Sequence, residues 1–310
     1  MEQLKRKINT QARRRLFVGV FLAPAIALFA LIYAYPLVTV IYTSFCKWNY
    51  KNFLKPEFLG FDHLFDNYIK LFTLDANFQI ALVNSIKWVL LSVLIQVPFS
   101  IIVALVLSKR VRGWKFARNV YIIPNIISTA AIGLIFLQLY SPGRGAISQI
   151  IQFFFPDKDI AILTNPASAF WGVTFAFILF GGTYSLLILT QIASIDSAIL
   201  EAAKLDGANE RQIDCKIILP LIKPMIGTVT VVAANYALLL YNEVALITAG
   251  GPGNSTYTLS YYIYKTAIGS EKLNFARGNT AGVIQLVLGL VLVGIINYLF
   301  IKDKKKVNNG

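Results

Sequence analysis

Residues 16–44 read LFVGVFLAPAIALFALIYAYPLVTVIYTS, a run without one charged side chain. A helix needs about 20 apolar residues to cross roughly 30 Å of hydrocarbon, and this run exceeds that. Arg13, Arg14 and Arg15 stand before it and Ala23-Pro24-Ala25 lies within it, so a cleaved leader must be weighed first. A leader's apolar core is only about 7–15 residues long. The run is therefore expected to be retained as a spanning helix. Five more follow, at 81–107, 116–140, 168–193, 217–248 and 279–301. The expected fold is an all-α membrane protein with six transmembrane helices.

Composition agrees with this reading. Of 310 residues, 56% are hydrophobic and 14% charged, with a mean hydropathy of +0.63, whereas soluble domains carry about 25% charged residues. A net charge of +14 could signal nucleic acid, but the basic residues fall in short blocks between apolar runs. Those blocks are topology signals. They are Lys5 to Arg15, Lys109 to Arg118, Lys204 to Lys223 and Lys302 to Lys306. The positive-inside rule places all four, and hence both termini, in the cytoplasm. The organisation expected is a basic N-terminus (1–15), one transmembrane domain (16–301) and a basic tail (302–310).

The longer segments 45–80, 141–167 and 249–278 then face outward. The first holds an amphipathic stretch, Phe61 to Phe72, expected to lie on the outer surface. Cys46 and Cys215 fall on opposite sides, so they cannot pair. Two cysteines and one histidine, His63, supply neither a disulfide framework nor a metal centre or triad.

The loop 197–216 between the fourth and fifth runs contains Glu201-Ala202-Ala203-Lys204-Leu205-Asp206-Gly207-Ala208, then Ile217-Ile218-Leu219-Pro220 and Pro224. Ser197 is expected to cap a short helix, with Glu201 near its positive end. Ala202 and Ala203 allow another surface to approach closely, and Gly207 turns the chain. Pro220 and Pro224 favour a bend where the chain re-enters the bilayer. The product is a short cytoplasmic helix tied to two spans, able to transmit force from a soluble partner.

This segment resembles the EAA loop of ABC-importer permeases. The matching positions are Glu201, Ala202, Ala203, Asp206, Gly207, Ala208, Ile217, Leu219, Pro220 and Pro224. The resemblance implies a type I importer permease fold, with the loop docking in a groove of an ATPase subunit. Where the family often has an aromatic residue and a Phe, Arg211 and Asp214 stand here. That leaves Leu205 or Ile213 as the apolar plug, or a more polar groove. A second stretch, Ile247-Thr248-Ala249-Gly250-Gly251-Pro252-Gly253-Asn254-Ser255-Thr256, resembles the Thr-x-Gly-Gly-Pro stretch of sugar-importer permeases of the maltose and glycerol-phosphate type. A third, Ile123-Pro124-Asn125 through Gly145, resembles the third helix and following loop of the same group, with Ser148 where an Asn is frequent.

The resemblance implies a permease paired with a second, different permease, two ATP-binding subunits and an extracytoplasmic sugar-binding protein, in a bacterial or archaeal cytoplasmic membrane. No Gly-x-x-x-x-Gly-Lys-Ser/Thr sequence is present. The chain is thus expected to be non-catalytic and to bind no cofactor, with ATP and Mg on the partner ATPase. Polar residues within the runs are candidates for the substrate path: Gln96, Asn125, Gln138, Asn235, Asn242, Glu243 and Gln285. The fifth run is richest, with Asn235, Tyr236, Tyr241, Asn242 and Glu243. On a 100° wheel Asn235 and Asn242 share a face. The alternative is that these groups simply hold helices together. An ion-coupled transporter would need several intramembrane acids, and Glu243 is the obvious one. A membrane enzyme would need clustered catalytic residues, and none is evident. An ABC permease for a non-sugar solute remains the nearer alternative.

Overall fold

The computed structural model describes residues 2–109, 112–155, 161–178, 181–270 and 272–301, with side chains within 13–300. The tail 302–310 and Arg110 lie outside the described residues, as do the side chains of Lys5, Arg6 and Lys7.

Five helical segments are long and apolar enough to cross a membrane: Arg13–Ser44, Ala76–Ser108, Pro166–Ala193, Lys223–Ile247 and Phe275–Phe300. They are called here the first, second, fourth, fifth and sixth spans. The third is a pair of helices, Trp114–Ile126 and Thr129–Leu139, bent by 99°. The straight helix expected over 116–140 is therefore corrected. The helix continues past Pro124 and the chain leaves it at Ile127 and Ser128, whose ψ of 140° and 135° lie outside the helical region. Ser128 carbonyl then accepts from Ile132 N at 3.0 Å and starts the second arm.

The first span stands apart. Its most apolar stretch is wholly uncovered by the rest of the chain, and only its last part, Tyr35–Ser44, packs against the sixth span. The other spans form a bundle with two apolar cores. One gathers Phe78, Trp88, Phe177, Leu240 and Tyr262. The other gathers Val97, Ala104, Ile188, Ile213, Ile218 and Ile222. The amphipathic stretch expected at 61–72 forms its helix later, over Asp66–Leu74. It buries Leu71 in the first core and leaves Phe61, outside the helix, 87% exposed. Two-residue strands, Cys46–Lys47 and Glu57–Phe58, pair antiparallel beside it.

Loop contacts sort the connections into two sets. At one end Tyr50 N donates to Leu273 O (3.0 Å) and Asn84 Nδ2 donates to Ser255 O (2.7 Å). At the other, Lys109 meets Asp214. Cys46 is buried and Cys215 exposed, and both are free.

The fifth and sixth spans meet closely where Gly227 faces Phe300. A Cβ on Gly227 would lie 2.6 Å from Phe300 Cβ. Gly227→Val should therefore cost about 1–3 kcal/mol by overpacking and lower the midpoint of thermal unfolding in detergent. Gly294→Ala, which meets nothing within 4 Å, should leave it unchanged.

Candidate functional site: the coupling segment and the interrupted fifth span

The coupling segment opens with helix Ser197–Leu205. Its cap is Asp196, whose Oδ1 accepts from Ala198 N at 3.0 Å, so Ser197 is the first helical residue and not the cap. A carboxylate holds the bare amide better than a hydroxyl because it adds charge to the positive helix end. Glu201 accordingly sits beyond the first turn. The helix ends at Gly207, whose φ of +83° is a left-handed conformation that glycine adopts freely. A second short helix, Glu210–Ile213, follows with a reciprocal cap. Asn209 Oδ1 accepts from Gln212 N (2.9 Å) and Gln212 Oε1 accepts from Asn209 N (2.8 Å).

Burial separates the two plug candidates. Ile213 is only 3% exposed, packed in the core beneath the second, fourth and fifth spans. It anchors the segment to its own bundle and cannot fill a groove elsewhere, so that expectation is corrected. Leu205 is 89% exposed. Glu201, Ala202, Asp206 and Gly207 are exposed with it, and Ala203 and Ala208 are half-buried against the bundle. An ion cluster fixes the base. Lys109 Nζ lies 2.7 Å from Asp214 and 3.7 Å from Glu210, and Lys204 lies 3.4 Å from Glu210. The hydrogen bond to Asp214 raises the Lys109 ammonium above the ordinary lysine range.

The fifth span is not continuous. Helix Lys223–Leu238 stops, and Asn242–Ile247 begins after Leu239, Leu240 and Tyr241. The shared face expected for Asn235 and Asn242 is therefore lost. Asn235 donates to Val231 O in its own helix (3.0 Å) and lies near Gly289 of the sixth span. Asn242 instead donates to Thr129 Oγ1 of the third span (2.9 Å). Glu243 is 2% exposed and accepts from Tyr236 Oη at 2.6 Å, across the break. Tyr241 packs against Tyr261 and Tyr264. Gln285 Nε2 donates to Leu238 O (3.0 Å), and Gln96 Nε2 donates to Phe177 O (3.2 Å) and Ile178 O (3.3 Å). Asn242, Gln285 and Gln96 thus bond across helices, while Asn235 bonds within its own.

The glycine-rich loop closes the end opposite the coupling segment. Gly250 and Gly253 have φ of +82° and +57°. Thr248 and Thr256 hydroxyls meet at 2.7 Å, and Thr256 Oγ1 donates to Gly251 O (3.0 Å). Asn84 of the second span clamps the loop through Ser255 O and Tyr257 O. Beside it lies Lys87, an ionisable side chain inside the 81–107 run that the choice of polar candidates passed over. Its signal was plain: a lysine between Ile86 and Trp88.

With this geometry described, comparison with known proteins identifies the class. Residues 96–303 match the family described as binding-protein-dependent transport system inner membrane component. The chain is 31% identical over 279 residues to the probable ABC transporter permease protein YurN of Bacillus subtilis, spanning 88% of this chain and 92% of that one. It is 27% identical over 293 residues to the multiple sugar-binding transport system permease protein MsmF of Streptococcus mutans, spanning 92% and 94%. In a solved bacterial alginate ABC transporter, in complex with an alginate pentasaccharide-bound periplasmic protein, one chain superposes with TM-score 0.79 at 23% identity, over 96% of this chain and 98% of that one. That likeness is one of fold. The protein belongs to the family of binding-protein-dependent transport inner-membrane components, and is a multi-pass permease subunit of an ABC importer.

Nothing lies within 4 Å of a Cβ built on Gly207, so a substitution there costs backbone strain and no clash. Gly207→Val should uncouple transport from ATP hydrolysis. Gly207→Asn, which tolerates the left-handed region, should retain most activity in proteoliposome uptake.

Proposed function

We propose that this chain forms half of the translocation pathway of an ATP-driven importer for a carbohydrate, paired with a second, different permease. Two ATP-binding subunits drive it, and an extracytoplasmic binding protein delivers the sugar. The chain itself is non-catalytic and binds no cofactor; ATP and Mg sit on the partners. Both termini and the coupling segment face the cytoplasm of a bacterial or archaeal cell.

The observation that carries this reading is the two-sided build of residues 197–218. Ile213 and Ile218 are buried in the bundle while Leu205 is 89% exposed. A segment rooted in three spans with an apolar tip in water is a docking element. Closure of the ATPase pair, gripping Glu201, Ala202 and Leu205, would move the ends of the fourth and fifth spans together. Carbohydrate is favoured by the sequence 247–256 and by the relative named for multiple-sugar transport. The uncovered first span supplies apolar surface for the second permease and lipid.

The test is co-expression with the neighbouring subunits, followed by ATPase assay in lipid nanodiscs with the binding protein and a sugar panel. One sugar-loaded binding protein should stimulate hydrolysis. Leu205→Asp should reduce ATPase co-purification by roughly tenfold or more, as loss of an interface hot spot does. Ile213→Asp should instead lower the yield of folded permease. Full coupling in Leu205→Asp together with Glu201→Lys would sink the docking assignment.

A further inference from the structure

Glu243 and Lys87 are ionisable side chains inside the apolar runs, and they are treated differently. Glu243 is buried and hydrogen-bonded. Lys87 is exposed, pairs with no carboxylate among the described residues, and has as its neighbour the ring of Phe170, 5.6 Å from Nζ to the centroid. A lysine within a span is costly against lipid and usually faces a water-filled cavity or the interior of an assembly.

Lys87 does face a cavity. A groove of about 550 Å³ runs between the second span and the start of the fourth, and a neighbouring one of about 510 Å³ continues it toward Pro252 and Gly253. Asn84, Lys87, Pro166 and Ser255 line both. Trp171 presents its indole here, 59% exposed. Phe170 is held against it edge-on at 5.6 Å and stacks on Trp88 at 4.6 Å, while Trp88 Nε1 is fixed by Thr174 Oγ1 at 2.9 Å. The aromatic wall is thus rigid. The opposite wall is equally fixed, because Asn84 Nδ2 binds Ser255 O and Tyr257 O. Ser255 Oγ itself is buried without a hydrogen-bond partner. Ser255 lines the groove while its Oγ stays beneath the surface.

An exposed indole and an ammonium that meets no carboxylate among the described residues stand together on one groove. The aromatic face suits the apolar side of a pyranose ring. The ammonium suits an acidic substituent, since charge-assisted hydrogen bonds are about twice as strong as neutral ones. We propose that the groove between Lys87, Trp171 and Ser255 is a subsite for an anionic saccharide, at the end of the pathway opposite the coupling segment. The sugar ring packs on Trp171 and the acidic group pairs with Lys87. This rests on the carbohydrate-import reading and narrows its substrate class.

The test uses the complete transporter in proteoliposomes, with its binding protein and two probe sets: uronate oligosaccharides and neutral oligosaccharides of the same length. Uptake of the uronates is expected, with KM raised about tenfold or more in Lys87→Gln and largely restored in Lys87→Arg. Trp171→Ala should raise KM as well, while both variants assemble as the parent does by size-exclusion chromatography. If neutral sugars alone are carried, the anionic subsite is overturned and carbohydrate import stands. If neither set is carried, the import reading fails and takes the subsite with it. An unchanged KM in Lys87→Gln, with an altered response to phosphatidylglycerol against phosphatidylcholine, would assign Lys87 to a lipid headgroup and end the proposal.

Discussion

A backbone carbonyl inside hydrocarbon must find a donor, at a cost of several kcal/mol if it does not. The interruption of the fifth span at Leu239–Tyr241 is possible only because neighbours meet that demand. Gln285 of the sixth span donates to Leu238 O, and Thr258 Oγ1 donates to Leu240 O at 2.7 Å. Thr258 in turn caps helix Leu259–Ala267 through Tyr261 N. The break, the sixth span and the helix after the glycine-rich loop are thus one hydrogen-bonded unit. Glu243 and Tyr236 tie the two arms of the broken span to each other. Much of the polar content of the membrane-spanning part is used in this way.

The same accounting operates at the other joints. Asn125, just past Pro124, accepts from Thr183 N and Oγ1 at 3.3 and 3.1 Å and fixes the bent third span to the fourth. Gly182 makes room for that approach, since a Cβ there would run into Asn125 and Tyr121 O. Ser148 has a buried role, donating to Tyr140 O at 3.1 Å. Polar side chains at helix joints in this protein act first as substitutes for lost backbone bonds.

This explains what could be read from the sequence and what could not. Spanning length depends on composition over about 20 residues, so the apolar runs were legible. Direction within a run is not encoded that way. Pro124 stands near the third-span bend, but the helix runs on past it. Ala237-Leu238-Leu239-Leu240 gave no cue for the fifth, because that break is imposed by partners 18 and 47 residues away. The coupling segment was legible from Glu201 to Pro220, and Gly207 adopts the turn its residue type suggests. Leu205 and Ile213 could not be told apart by chemistry alone. Their roles depend on which face of a short helix meets the bundle, although Ile217 and Ile218, four and five residues beyond Ile213, placed an apolar stripe on its side. Lys87 is a charge in an otherwise uncharged run, yet it is not among the polar candidates named from the sequence.

The empty space around Gly207 has a mechanical consequence. Helix Ser197–Leu205 is about 13 Å long at 1.5 Å per residue, and it joins the clamped base through the turn at Gly207, where an added Cβ would meet nothing within 4 Å. Ala203 and Ala208 meet the second core on either side of that turn, so the short helix is seated at its base while Leu205 stands clear of the bundle, the geometry of a lever arm.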